Sequence, residues 1–214
     1  MNLTGARITS LEAPQATAGV GASSEDPAPA FAEDDFTRHI FSCLLQIALS
    51  DASVKGGTIE DAVGLGADDL EALAITFKPD ILPLLNSRRR QPEVAFDEEE
   101  EQLLDLFMRF RSDTSRQSNW LAAILTRRCM SPNHLWQDLG LNSRVELGRL
   151  MREFFPTLAA RNVLNMKWKK FFYRCLCEME GFSLCASPTC QQCNDYNDCF
   201  GEETGLSRLP QKNN

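Results

Sequence analysis

The tightest constraint on this chain is a run of four cysteines, Cys185, Cys190, Cys193 and Cys199, spaced C-x4-C-x2-C-x5-C within fifteen residues. Soft thiolates select zinc, copper(I) and iron–sulfur centres, and four of them complete the ligand set of a tetrahedral ion or a small cluster. The first three have the C-x4-C-x2-C spacing found around [2Fe–2S] centres, and the fourth arrives six positions on rather than from a distant loop. A structural zinc site more often pairs two C-x2-C knuckles, and only Cys190 and Cys193 are spaced that way here. Spacing therefore leans toward an iron–sulfur cluster. It leaves open an iron–sulfur electron carrier and a zinc-stabilised interaction module. Pro188 forbids helix across the first gap, and Asn194, Asp195, Asn197 and Asp198 favour turns that fold the thiols inward.

Cysteine chemistry depends on compartment. Eight cysteines in 214 residues are not spread as a disulfide framework. Residues 1–7 show no apolar signal-peptide core, so a reducing cytoplasm and metal-bound thiols are expected. A net charge of −8 argues against nucleic-acid binding. No apolar run is long enough to span a bilayer. The charge is uneven, with acids at Asp97–Glu101 and a basic stretch from Arg161 to Arg174.

Residues 1–32, rich in Ala, Pro, Gly, Ser and Glu, are expected to be a disordered tail, because they bury too little apolar surface to offset ordering entropy. Residues 33–181 read as a compact helical domain. Phe36, Ile40, Cys43/Leu44 and Ile47 recur at helical spacing from Asp34 to Ser50, and Gly56-Gly57 breaks the run. Thr58 caps a short helix through Val63. Asp68 opens another with Leu70, Leu73, Ala74 and Phe77 on one face, and Pro79 and Pro83 disrupt the stretch after it. Ser87 to Pro92 reads as a loop. Asp97 caps a helix carrying Leu103, Leu104 and Phe107, its first turn filled with glutamates that suit the macrodipole. A further helix spans Ser115 to Arg128. Ser131-Pro132 predicts a cap with proline at the first helical position, and Ser143 with Glu146 reads as a capping box. No alternating β-branched run occurs, so the fold is expected to be all-α. The cysteine-rich metal-binding loop occupies 182–204 and a flexible C-terminus 205–214.

The last long helix, predicted from Met166 to Glu180 with Asn165 as cap, delivers the chain into the cysteine loop. At 100° per residue, Trp168, Phe171, Phe172, Cys175, Leu176 and Met179 share one side, while Lys167, Lys170, Arg174 and Cys177 share the other. Cys175 is expected in the core. Cys177, among cations that favour thiolate, is a candidate additional ligand or a spectator. Lys167, Lys170 and Arg174 are candidate contacts for an anion or a partner, or a solvated face.

Asn165-Met166-Lys167-Trp168-Lys169-Lys170-Phe171-Phe172-Tyr173-Arg174, followed by Cys177-Glu178, Glu180-Gly181 and the cysteine loop closing in Cys199-Phe200-Gly201-Glu202, resembles the NifQ family of nitrogen-fixing bacteria. Leu135 to Leu141 and Phe155 to Asn162 carry the same resemblance, which covers about Leu135 to Glu203. The resemblance implies a molybdenum–iron–sulfur cluster carrier, not an enzyme. Such a carrier donates molybdenum, taken up from molybdate or another source, during assembly of the nitrogenase iron–molybdenum cofactor. It implies the NifEN scaffold and the reductase NifH as partners. The cluster ligands it implies are Cys185, Cys190, Cys193 and Cys199.

Overall fold

The computed structural model describes residues 33–87, 93–181, 190, 193 and 196–210, and every regular element among them is helical. The expected tail, residues 1–32, and positions 88–92 of the expected loop lie outside the described residues. The elements are α1 (Glu33–Lys55), α2 (Ile59–Val63), α3 (Ala67–Phe77), a 3-10 turn (Pro79–Ile81), α4 (Leu82–Asn86), α5 (Glu98–Phe110), α6 (Arg116–Cys129), α7 (Leu135–Asp138), α8 (Arg144–Phe154), α9 (Pro156–Ala159), α10 (Trp168–Met179) and α11 (Tyr196–Phe200). No described helix is long and apolar enough to cross a membrane.

Where a helix start is set by its own side chains, sequence and structure agree. Thr58 accepts from the Asp61 N–H, Ser115 from Ser118 and Ser143 from Glu146. Asp97 and Glu100 form a reciprocal capping box at the head of α5. At Ser143 the expected box opens differently, because the Glu146 carboxylate turns away to the Asn142 N–H, 2.9 Å distant.

Several boundaries move. α1 continues past Ser50, since nothing in Asp51–Lys55 breaks helix, and it stops at Gly56 and Gly57, whose φ of 71° and 114° suits glycine. Pro79 and Pro83 do not end helical structure. Each sits in the first turn of a short segment, where its missing N–H costs nothing. The expected Ser131-Pro132 start gives way to His134 as the N-cap of α7. The Lys169 ammonium, arriving from α10, takes the carbonyls of Ser131 and Asn133, so that stretch cannot wind into helix. α10 begins behind Lys167 rather than Asn165. Asn165 instead has a left-handed φ of 53°, and its backbone and side-chain oxygens accept from the Arg144 guanidinium.

Two aromatic hubs organise the core. Phe41 of α1 stacks on Phe77 at 4.4 Å and meets Trp120 edge-on, joining α1, α3 and α6. Phe107 meets Phe155 and Phe172 edge-on at 5.5 and 4.9 Å, joining α5 and α10 at the end of α8. Each such pair adds about 0.5–1.5 kcal/mol beyond area burial. The second hub fixes the inner face of α10, with Trp168, Phe171, Phe172, Cys175 and Leu176 all buried as the angular pattern requires. Met179, placed on that face by the same pattern, is 43% exposed at the helix end.

Charged groups close the far side. Asp138, fully buried, receives Lys169 at 2.8 Å, Asn133 at 2.8 Å and Arg208 at 3.3 Å. Arg208 also pairs with Asp51 of α1, which holds the buried Arg128 of α6 as well. Glu203 lies 2.6 Å from Arg144, an ion pair off the hydrogen-bond axis, and 3.7 Å from His134. Gln137 donates to the Leu206 carbonyl at 2.9 Å. The described part of the segment expected as a flexible C-terminus, 205–210, is thus a strap laid across α7.

A second polar contact joins α1 to α8. His39 Nε2 sits 3.3 Å from Glu146 Oε2, and Cys43 Sγ lies 3.8 Å from both ring nitrogens. The Cys43 sulfur and the Glu146 carboxylate push the imidazole up to about 10. A pKa raised on folding gives stability that is complete below the free value of about 6.5 and is lost as pH rises toward 10. Denaturant titrations of the wild-type protein are therefore expected to show falling stability over that window. His39→Gln should start lower and flatten the slope.

Candidate metal centre

α10 is the backing on which the cysteine segment is laid. Its inner face is locked into the aromatic hub, so its outer face presents side chains at fixed intervals of about 1.5 Å per residue. Near its middle, the Arg174 guanidinium reaches Cys190, with Nη1 3.9 Å from Sγ, while Nε donates to Glu178 at 2.8 Å. At its N-terminus the Lys167 N–H donates to the Cys199 carbonyl at 2.8 Å, and Lys167 Nζ donates to the Asn197 carbonyl at 3.0 Å. The chain leaves α10 at its C-terminal end and is back at its N-terminal end by Cys199. Between Cys190 and Cys199 the described residues therefore pass from the middle of the helix to its N-terminal end.

Within the segment, Cys190 and Cys193 are joined by a turn, Cys193 N–H to Cys190 carbonyl at 3.1 Å, and Tyr196 N–H continues it to the Cys193 carbonyl at 3.3 Å. That turn leads into α11, a helix the turn-forming Asn and Asp residues did not announce. Cys199 rides on α11, partly buried against the core beside Phe200, and Tyr196 stacks on Phe200 at 4.7 Å. Cys190, Cys193 and Cys199 are each partly exposed.

Of the sequence-predicted site residues, Cys185 lies outside the described residues. Cys190, Cys193 and Cys199 lie on one turn-and-helix unit. Among the described residues no three His, Cys, Asp or Glu side chains converge as a metal-binding group. Cys175 is buried and its thiol is pushed up by desolvation. Cys177 is half-exposed, on the outer side of α10. The predicted basic face divides. Lys167 and Arg174 are bonded to the cysteine segment, whereas Lys170 is exposed.

The donor set suits a thiophilic group. Three thiols lie on one short unit, and a permanently charged guanidinium stands 3.9 Å from one of them. The residues that secure this unit from behind, Arg144, His134, Glu203 and Arg208, carried no sequence signal, because their partners are far away in the chain.

Comparison with known proteins bears directly on this arrangement. The sequence profile of the NifQ family matches residues 40–201. The chain belongs to the NifQ family. That ties it to nitrogen fixation. It is 40% identical to the NifQ homolog of Sinorhizobium fredii over 185 residues, covering 85% of this chain and 79% of that protein. Over 162 residues it is 40% identical to NifQ of Rhodobacter capsulatus, covering 75% and 87%. It is 38% identical to NifQ of Klebsiella pneumoniae over 150 residues, covering 67% and 89%. No solved structure matches. The NifQ match extends well upstream of Leu135, where the resemblance legible in the motifs began, and takes in α2 to α6 and most of α1. The helical body is therefore part of the NifQ fold and not an addition to it.

Proposed function

We propose that this NifQ-family chain carries a molybdenum–iron–sulfur cluster and donates molybdenum to assembly of the nitrogenase iron–molybdenum cofactor, as a carrier and not an enzyme. Cys185, Cys190, Cys193 and Cys199 hold the cluster, with Cys177 a candidate additional ligand. Molybdate or another molybdenum source loads it in the cytoplasm, and the NifEN scaffold and NifH receive from it. The observation that carries this reading is the Arg174–Cys190 contact on the turn that joins Cys190 to Cys193. A cation held there offsets the negative charge of a thiolate-ligated metal group. Lys167 acts mechanically at the other end by fixing the α11 backbone. Bound there, the cluster supplies a chemically accessible molybdenum atom. The protein supplies thiolates, their compensating charge and a rigid backing helix.

Full-length protein purified without oxygen tests the proposal. A visible absorption band together with iron and molybdenum, counted on the same sample, is the expected result. Iron without molybdenum after growth on molybdate points to an electron carrier. Colourless protein holding zinc overturns the cluster reading altogether.

A further inference from the structure

Two pieces of sequence that share the NifQ resemblance lie outside the cysteine loop, Arg161-Asn162 and Arg174 with Cys177-Glu178, and the structure brings parts of both to one cavity. The cavity has a volume of about 120 Å³ and lies between the turn at 161–166 and α10. Its floor is Met166, Phe171 and Cys175, each 5% exposed or less. Its charged rim is Arg161, Arg174 and Glu178.

Two guanidiniums there share one carboxylate. Arg174 Nε donates to Glu178 Oε1 at 2.8 Å, and Arg161 Nη2 lies 3.6 Å from Oε2. Glu178 is 47% exposed, and ion pairs that open to water hold weakly. The carboxylate can therefore swing out and leave two forked, permanently charged donors over an apolar floor. That arrangement suits a compact oxyanion. Asn162 is held by the Met166 backbone, donating to its carbonyl at 2.9 Å and accepting from its N–H at 2.8 Å. The space is large enough to admit a tetrahedral oxyanion. The same Arg174 that borders the cavity touches Cys190.

The geometry points to a binding site for a small tetrahedral oxyanion formed by Arg161 and Arg174, with the Glu178 carboxylate as its placeholder. Its service to the cluster loop rests on the proposed donor function, whereas the binding itself rests on the cavity. Calorimetric titration of the full-length protein with tungstate and, separately, with sulfate at low salt tests it. One oxyanion per chain is expected. Arg161→Gln and Arg174→Gln should each weaken binding at least tenfold, and Glu178→Gln, which keeps the shape but removes the competing charge, should tighten it severalfold. Arg152→Gln, on the exposed side of α8, serves as the charge control and should change nothing. A preference for tungstate marks a site for large metal oxyanions, and equal affinity marks a general sulfate-like site. Absence of saturable binding, equal loss in Arg152→Gln, or weaker binding in Glu178→Gln overturns the proposal. Circular dichroism on each variant separates lost binding from lost fold. If metal content is normal but no oxyanion binds, only this site falls. If oxyanion binds but the anaerobic protein lacks iron and molybdenum, the donor function falls.

Discussion

Cys190→Ala is expected to lose iron and molybdenum together, whereas Cys199→Ala should keep more iron than molybdenum. Cys190 shares a turn with Cys193 and faces Arg174, and with Cys185 these two make the compact set spaced as in a [2Fe–2S] centre. Within the same unit, Cys199 sits on α11 rather than on the turn, and its carbonyl accepts from the Lys167 N–H. Three thiolates can serve three irons, and molybdenum, which prefers more ligands than iron, is left to the outlying thiol and to solvent or a partner. Helical circular dichroism should survive in all of these variants, because the two aromatic hubs do not depend on the segment. Unfolding of every cysteine variant would instead mark a folding staple of the kind structural zinc makes. Equal proportional loss of both metals in Cys199→Ala would remove the distinction between the thiols.

The largest effect on stability is expected from Asp138→Ala. Asp138 is fully buried and serves Lys169, Arg208 and Asn133 at once. Deleting it leaves the partly buried Lys169 without a carboxylate and takes one of two from Arg208, and breaking a buried pair in this way costs about 3–5 kcal/mol. At about 2–4 °C per kcal/mol for a domain of this size, the thermal midpoint should drop by roughly 10 °C. Asp138→Asn, which keeps the shape and one acceptor, should recover part of the loss. A midpoint within about 2 °C of wild type in Asp138→Ala would show that Asp51 alone anchors Arg208.

These two predictions draw on different kinds of legibility. The cysteines could be found by spacing, and the caps at Thr58, Asp97 and Ser143 by local pattern, because each is a bond between residues three apart. The inner face of α10 was equally plain, since Trp168, Phe171, Phe172, Cys175 and Leu176 follow helical angles. What escaped was decided at a distance. Lys169 unmakes the Ser131-Pro132 start from 38 positions away, and Arg144 sets the conformation of Asn165. Arg208 reaches Asp51 across 157 positions. No local pattern announces such contacts. Nor could helical angles show that Lys167 and Arg174 are bonded to the cysteine segment while Lys170 is exposed. Of the candidate cavity, only Arg174 and Glu178, one turn apart, could be paired by eye, and Arg161 could not.

Cys190 and Cys199 are tied to α10 at separate points. The segment is stitched to the helix at Arg174 and Lys167, and the chain beyond it is pinned by Glu203 and Arg208. A free tail bearing four thiols would have to find its metal afresh after each release. A stretch held at more than one point has already met part of the closure cost, which grows only as (3/2)RT ln n. Cys190, Cys193 and Cys199 therefore stay on one short stretch of chain. In the donor role proposed above, loading and release would then be a change of occupant within a standing frame, with no unfolding between rounds.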